Sequence, residues 1–95
     1  MDFQRLKDRI AELSESPKNV RFDQMESLLD NQIRQLFAKY DHRPRGSHHV
    51  FTLSDPIRGS RTITLVKPIR GPIKQCYVKE FLDAMEELGL YDSQH

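Results

Sequence analysis

Ser47-His48-His49-Val50-Phe51-Thr52-Leu53, followed after a break by Arg61-Thr62-Ile63-Thr64-Leu65-Val66, decides how this chain is read. Side chains of a strand alternate between its two faces. Ile63 and Leu65 therefore fall on one side and Thr62 and Thr64 on the other, the period-two pattern of a half-buried antiparallel strand. Val50 and Phe51 are good strand formers. Between the two runs, Asp55-Pro56 and Gly59-Ser60 supply residues that end one strand and reverse the chain. The pattern predicts a β-hairpin.

Working outward, Lys67-Pro68-Ile69-Arg70-Gly71-Pro72 suits neither ladder nor helix, because each proline removes an N–H donor and restricts the residue before it. This segment is expected to be a stiff loop. Beyond it Val78, Phe81, Leu82, Met85 and Leu88 recur at helical spacing, and Gly89 stands where helices commonly end. On the other side, Asp2–Glu15 carries Phe3, Leu6, Ile10 and Leu13 as an amphipathic stripe, broken by Ser16-Pro17. A second helix is expected from about Val20 to Leu29. Asp23 and Glu26 are spaced as a capping box there, with Met25, Leu28 and Leu29 facing the core. From Asn31 to Arg45 two readings stand: Ile33, Leu36, Phe37 and Tyr40 keep helical spacing, or a short strand ends near His42. Together these elements predict an α+β sandwich, a small antiparallel sheet packed against two helices with an extra N-terminal helix.

At 95 residues the chain is one small domain with no room for an elaborate buried cleft, so an enzyme of this size must work from an exposed site. Cys76 is the single cysteine, which excludes an intrachain disulfide and suits a reducing cytosol. Cys76 itself is expected to be a small buried side chain. No two of the four histidines make a helical i,i+4 metal pair, and His48 and His49 diverge if they share a strand. No metal and no other cofactor is therefore expected. The chain opens on charged residues without an apolar run of signal-peptide or membrane-spanning length, which predicts a cytoplasmic protein with no membrane partner.

Charge is sorted along the sequence. Between Asp41 and Lys79 stand eight Lys and Arg against two Asp, whereas the chain beyond Lys79 has five carboxylates and no Lys or Arg. A basic centre suits a polyanion. Within it, Gly46 offers a sharp turn that delivers His48 and His49 into a strand. Histidine is the side chain whose ordinary pKa, about 6.5, permits proton transfer near neutral pH. Neighbours in a strand face opposite ways, so one of His48 and His49 is the candidate catalytic residue and a register shift of one would exchange them. Gly46 and Ser47 would support it beside a phosphate. Arg45, Arg61 and Lys67 are the leading phosphate contacts, with Arg43, Arg70 and Lys74 behind them. His42 and His95 are expected at the surface, and Tyr77 and Tyr91 in packing or surface roles.

The helix, the Gly46-Ser47-His48-His49-Val50-Phe51 strand entry, the hairpin and the closing helix ending Leu88-Gly89-Leu90 together resemble HicA-type toxins. Asn19-Val20-Arg21-Phe22 is similar to that family's opening and Gly46-Ser47-His48 to its catalytic element, so the likeness spans about residues 18–90. The resemblance implies a double-stranded-RNA-binding-like fold and a metal-independent mRNA endoribonuclease (mRNA interferase), the toxin of a type II toxin–antitoxin system. It also implies a HicB-like antitoxin as partner. On this reading residues 1–16 are a helical extension and residues 18–95 the HicA-like domain. The chain departs from the pattern in its long passage from Leu29 to Gly46, in lacking a histidine around Val66-Lys67-Pro68-Ile69, and in the added first helix. A non-catalytic RNA-binding module of the same fold is the alternative, and a protein-interaction domain a weaker third.

Overall fold

The computed structural model describes residues 3–93; Asp2 and His95, expected in the first helix and at the surface, lie outside the described residues. Helix α1 spans Phe3–Glu15 and is followed by a single 3₁₀ turn at Pro17–Asn19. Helix α2 begins at Phe22–Ser27 and continues as a π-helical turn, Leu28–Gln32, and a 3₁₀ turn, Ile33–Leu36. Strands β1 (Lys39–Arg45), β2 (His48–Asp55) and β3 (Gly59–Val66) form an antiparallel sheet with β2 in the centre. Helix α3, Gln75–Glu87, closes the chain. This is a small α+β fold.

The expected hairpin is β2–β3, with His48 opposite Val66 and Phe51 opposite Ile63. The Asn31–Arg45 ambiguity resolves in both directions: helical structure runs to Leu36, and the strand occupies Lys39–Arg45, beyond His42. Pro44 is tolerated there because β1 is an edge strand, where a missing N–H need not break a central ladder. The start of α2 also differs from expectation. Helix geometry begins at Phe22, because Val20 and Phe22 are both buried and the chain must turn between them. The backbone N–H of Arg21 donates to Gln24 Oε1 (2.8 Å), so Gln24 provides the reciprocal contact that Asp23 and Glu26 were spaced to provide.

All helices pack on one face of the sheet. Phe51 and Leu53 of β2 and Ile63 and Leu65 of β3 point into a single core with Phe22, Met25, Leu29 and Ile33 from the α2 region, and Val78, Phe81 and Met85 from α3. The α1 stripe joins the same core through Leu6, Ile10 and Leu13, while Phe3 stays more exposed. Each fully buried aliphatic side chain contributes on the order of 1.5–3 kcal/mol of transfer free energy. At the end of α3, Gly89 takes φ +79° and the N–H groups of Leu90 and Gly89 donate to the carbonyls of Met85 and Glu86. That pairing is a Schellman cap, and it stops the helix where the sequence predicts. Cys76 corrects its expectation: it is exposed, because the core side of α3 is set by Val78, Phe81 and Met85 and leaves position 76 on the solvent side.

Candidate functional site

Arg45 and His48 bracket a two-residue loop and are register partners across β1 and β2. Gly46 has φ +59° and Ser47 has no positive φ, the φ signature of a type II′ hairpin turn, which requires glycine at its first position. The turn is held further by the Lys67 N–H, which donates to the Ser47 carbonyl (2.7 Å). This places β2 in a register where odd-numbered residues face the helices and even-numbered ones face away. Phe51 and Leu53 are buried; His48 and Thr52 are exposed. The two histidines therefore serve opposite faces, as alternation requires.

On the uncovered face, His48 lies opposite Arg45, and Arg43 and Lys39 follow on the same side of β1. Register partners in an antiparallel pair share a face, so this row presents cations next to an exposed imidazole. Arg43 Nε is bonded to Asp41 Oδ2 (2.8 Å), whereas Arg45 has no ion pair among the described residues. Lys39, Asp41, Arg43, Arg45, Val50 and Thr52 line a shallow depression of about 610 Å³ along these strands.

The remaining predicted contacts scatter. Lys67 stays at the His48 end, but its Nζ lies over the Phe22 ring, 5.6 Å from the centroid, on the helix side. Arg61 corrects its expectation as a flanking phosphate contact. It pairs with Leu53, far along the hairpin from His48, and its guanidinium is bonded to Glu87 of α3. The hairpin geometry is the reason, since residues early in β3 lie opposite the later part of β2. Arg70 and Lys74 are exposed on the loop before α3.

The helix side of the same strands holds a cluster that sequence spacing does not reveal. His42 corrects its surface expectation: its side chain is only 16% exposed and its ring stacks on Phe51 at 4.1 Å. Because β1 begins at Lys39, Tyr40 and His42 fall on the inner face, the signal being alternation in Tyr40-Asp41-His42-Arg43. Asp30 accepts a hydrogen bond from the Tyr40 hydroxyl and lies 3.1–3.2 Å from His42 Nδ1. A carboxylate only accepts, so His42 carries its proton on Nδ1. Its Nε2 faces His49 Nδ1 at 2.8 Å, one of the two nitrogens donating to the other. Glu26 Oε2 lies 4.0 Å from each of those two facing nitrogens. Burial, then the neighbouring His42, lowers the His49 pKa from its ordinary value, with Lys67 acting in the same direction and Glu26 and Asp30 against it. Burial and the Asp30 carboxylate hold the Tyr40 hydroxyl well above the usual phenol range, so it remains a donor.

Compared with known proteins, the chain matches no family model, no curated sequence and no solved structure. No helix among the described residues is long and apolar enough to cross a membrane.

Proposed function

We propose that the protein is a metal-independent endoribonuclease acting on mRNA, with His48 as its proton-transfer group. The observation that carries this reading is the exposed His48 opposite Arg45 on a sheet face that no described helix covers. Cleavage needs no cofactor. The 2′-oxygen of RNA attacks the adjacent phosphorus, the bond to the 5′-oxygen breaks, and a 2′,3′-cyclic phosphate and a 5′-hydroxyl result. Neutral His48 accepts the 2′-hydroxyl proton, or charged His48 donates to the leaving oxygen. Arg45, with Arg43 behind it, stabilises the charge that builds on the phosphoryl oxygens. Gly46 brings backbone close to the phosphate and the Ser47 hydroxyl can donate to it.

The order of helix, three antiparallel strands and helix supports a double-stranded-RNA-binding-like assignment, and with Gly46-Ser47-His48 it supports the HicA-like reading. On that reading the chain is a cytoplasmic toxin, and a HicB-like antitoxin restrains it by covering the basic face around His48. One observation favours the RNA-binding module instead. The uncovered face carries rows of Thr, Ser and Arg suited to gripping a phosphate backbone, and among the described residues the register sets only Arg45 and Val66 opposite His48, neither of them an acid–base group near neutral pH.

The test is incubation of the purified full chain with end-labelled single-stranded RNA in EDTA, beside His48→Ala and His49→Ala. Cleavage is expected in the wild type and His49→Ala, and a loss of about 10²–10⁴-fold in His48→Ala. Loss in His49→Ala alone would transfer the role to the imidazole oriented by Asp30 and His42. Intact RNA with all three proteins, retarded equally on a gel, would establish the binding module.

A further inference from the structure

We infer that Glu26, His42 and His49 form a binding site for one divalent transition-metal ion, with zinc the best chemical fit, on the face of the sheet opposite His48. The three residues come from separate elements, α2, β1 and β2, and each offers one ligand atom, all within 4.8 Å of one another. His42 Nε2 and His49 Nδ1 face each other at 2.8 Å, and Glu26 Oε2 lies 4.0 Å from both. Tetrahedral zinc with bonds of about 2.0–2.2 Å holds its ligand atoms roughly 3.4 Å apart. The imidazoles need to separate and the carboxylate to approach by about half an ångström each, a small side-chain adjustment on the scale set by those bond lengths.

The donors are also of the right kind. Two imidazoles and one carboxylate suit zinc and its neighbours in the first transition row, and are too few and too nitrogen-rich for magnesium or calcium. The outer contacts match what metal-bound histidine requires. The other nitrogen of His42 is held by Asp30, which is itself held by Tyr40, giving the carboxylate–histidine support that fixes ring orientation at such centres. Coordination through His49 Nδ1 leaves the proton of the neutral imidazole on Nε2. Two carboxylates, Glu26 and Asp30, balance the dication. Glu26 is the most exposed of the three ligands, so water can complete the fourth position from its side. Bound there, the ion ties α2 to both strands just behind the turn that presents His48.

The test uses the full chain, stripped with EDTA and desalted, titrated with Zn²⁺ by calorimetry and with Co²⁺ by visible absorption. One equivalent is expected to bind, with the Co²⁺ bands of a low-coordinate histidine–carboxylate centre. Glu26→Gln should abolish stoichiometric binding, Asp30→Asn should weaken it roughly 10–100-fold, and His48→Ala should leave it unchanged. His49→Ala also removes a packed ring, so Glu26→Gln, at a part-exposed position, keeps the experiment decisive if that variant misfolds. Absence of a stoichiometric ion in the wild type, equal affinity in Glu26→Gln, or loss in His48→Ala would each overturn the site. RNA cleavage is scored in EDTA, so the two proposals stand or fall separately.

Discussion

The carboxylate of Asp55, at the end of β2, accepts hydrogen bonds from the backbone N–H groups of Ile57 (2.9 Å) and Arg58 (3.1 Å). This is the local closure that asparagine and aspartate give to turns, and here it fixes the reversal between β2 and β3. The N–H groups of Arg58 and Ile57 favour the charged form and hold the Asp55 pKa below the usual aspartate value. An unfolded chain returns to that usual value, so between the two the unfolded state binds more protons and stability rises with pH. The contribution is complete above about pH 4 and is lost as pH falls through the folded-state value. Asp55→Ala is therefore expected to lower the thermal midpoint at pH 7, with the gap from wild type closing as pH approaches 2. Unfolding curves at both pH values check this, and a gap independent of pH would show that the carboxylate charge is not what closes the turn.

At the scale of elements, α1 shows how burial turns an apparent appendage into part of the fold. Leu6 and Ile10 are fully buried and Leu13 is nearly so, all within the same core as the sheet. Ile10→Ala is expected to cost about 2–5 kcal/mol, from lost transfer free energy and the cavity left behind. Denaturant unfolding of the full chain measures it, and a loss below about 1 kcal/mol would mean that α1 docks too loosely to stabilise the domain. The stripe of α1, the β2–β3 hairpin and the Gly89 stop of α3 were each legible because their apolar residues repeat at one clear period. Strand β1 was not. Ile33, Leu36, Phe37 and Tyr40 keep helical spacing across the point where the backbone changes form, and Lys-Tyr-Asp-His-Arg-Pro-Arg offers an edge strand almost nothing apolar. With β1 left unplaced between two readings, the inward turn of His42 stays hidden, and with it the grouping of Glu26, His42 and His49. The outward turn of His48 beside Arg45 needed only the Gly46 turn and one strand's alternation.

For the whole molecule, folding converts the sorting of charge along the sequence into a difference between faces. Lys39, Arg43 and Arg45 stand on the open side of the sheet, while Glu80, Asp83, Glu86 and Glu87 are exposed on α3, which packs against the other side. On the proposed reading, this sorting would steer a polyanion to the face that carries His48. Binding to single-stranded RNA, measured with His48→Ala to suppress cleavage, should weaken with salt. The slope of log affinity against log salt should be about −2 if those three cations contact phosphates, at roughly −0.7 per contact. Arg45→Ala should make the slope shallower by about one contact's worth and weaken binding to all sequences alike. Arg61→Ala should leave the slope unchanged, because Arg61 is committed to Glu87 at the far end of the hairpin. A shallower slope in Arg61→Ala with no change in Arg45→Ala would move the RNA path off the open face and onto the β3–α3 edge, removing the phosphate contacts from beside His48.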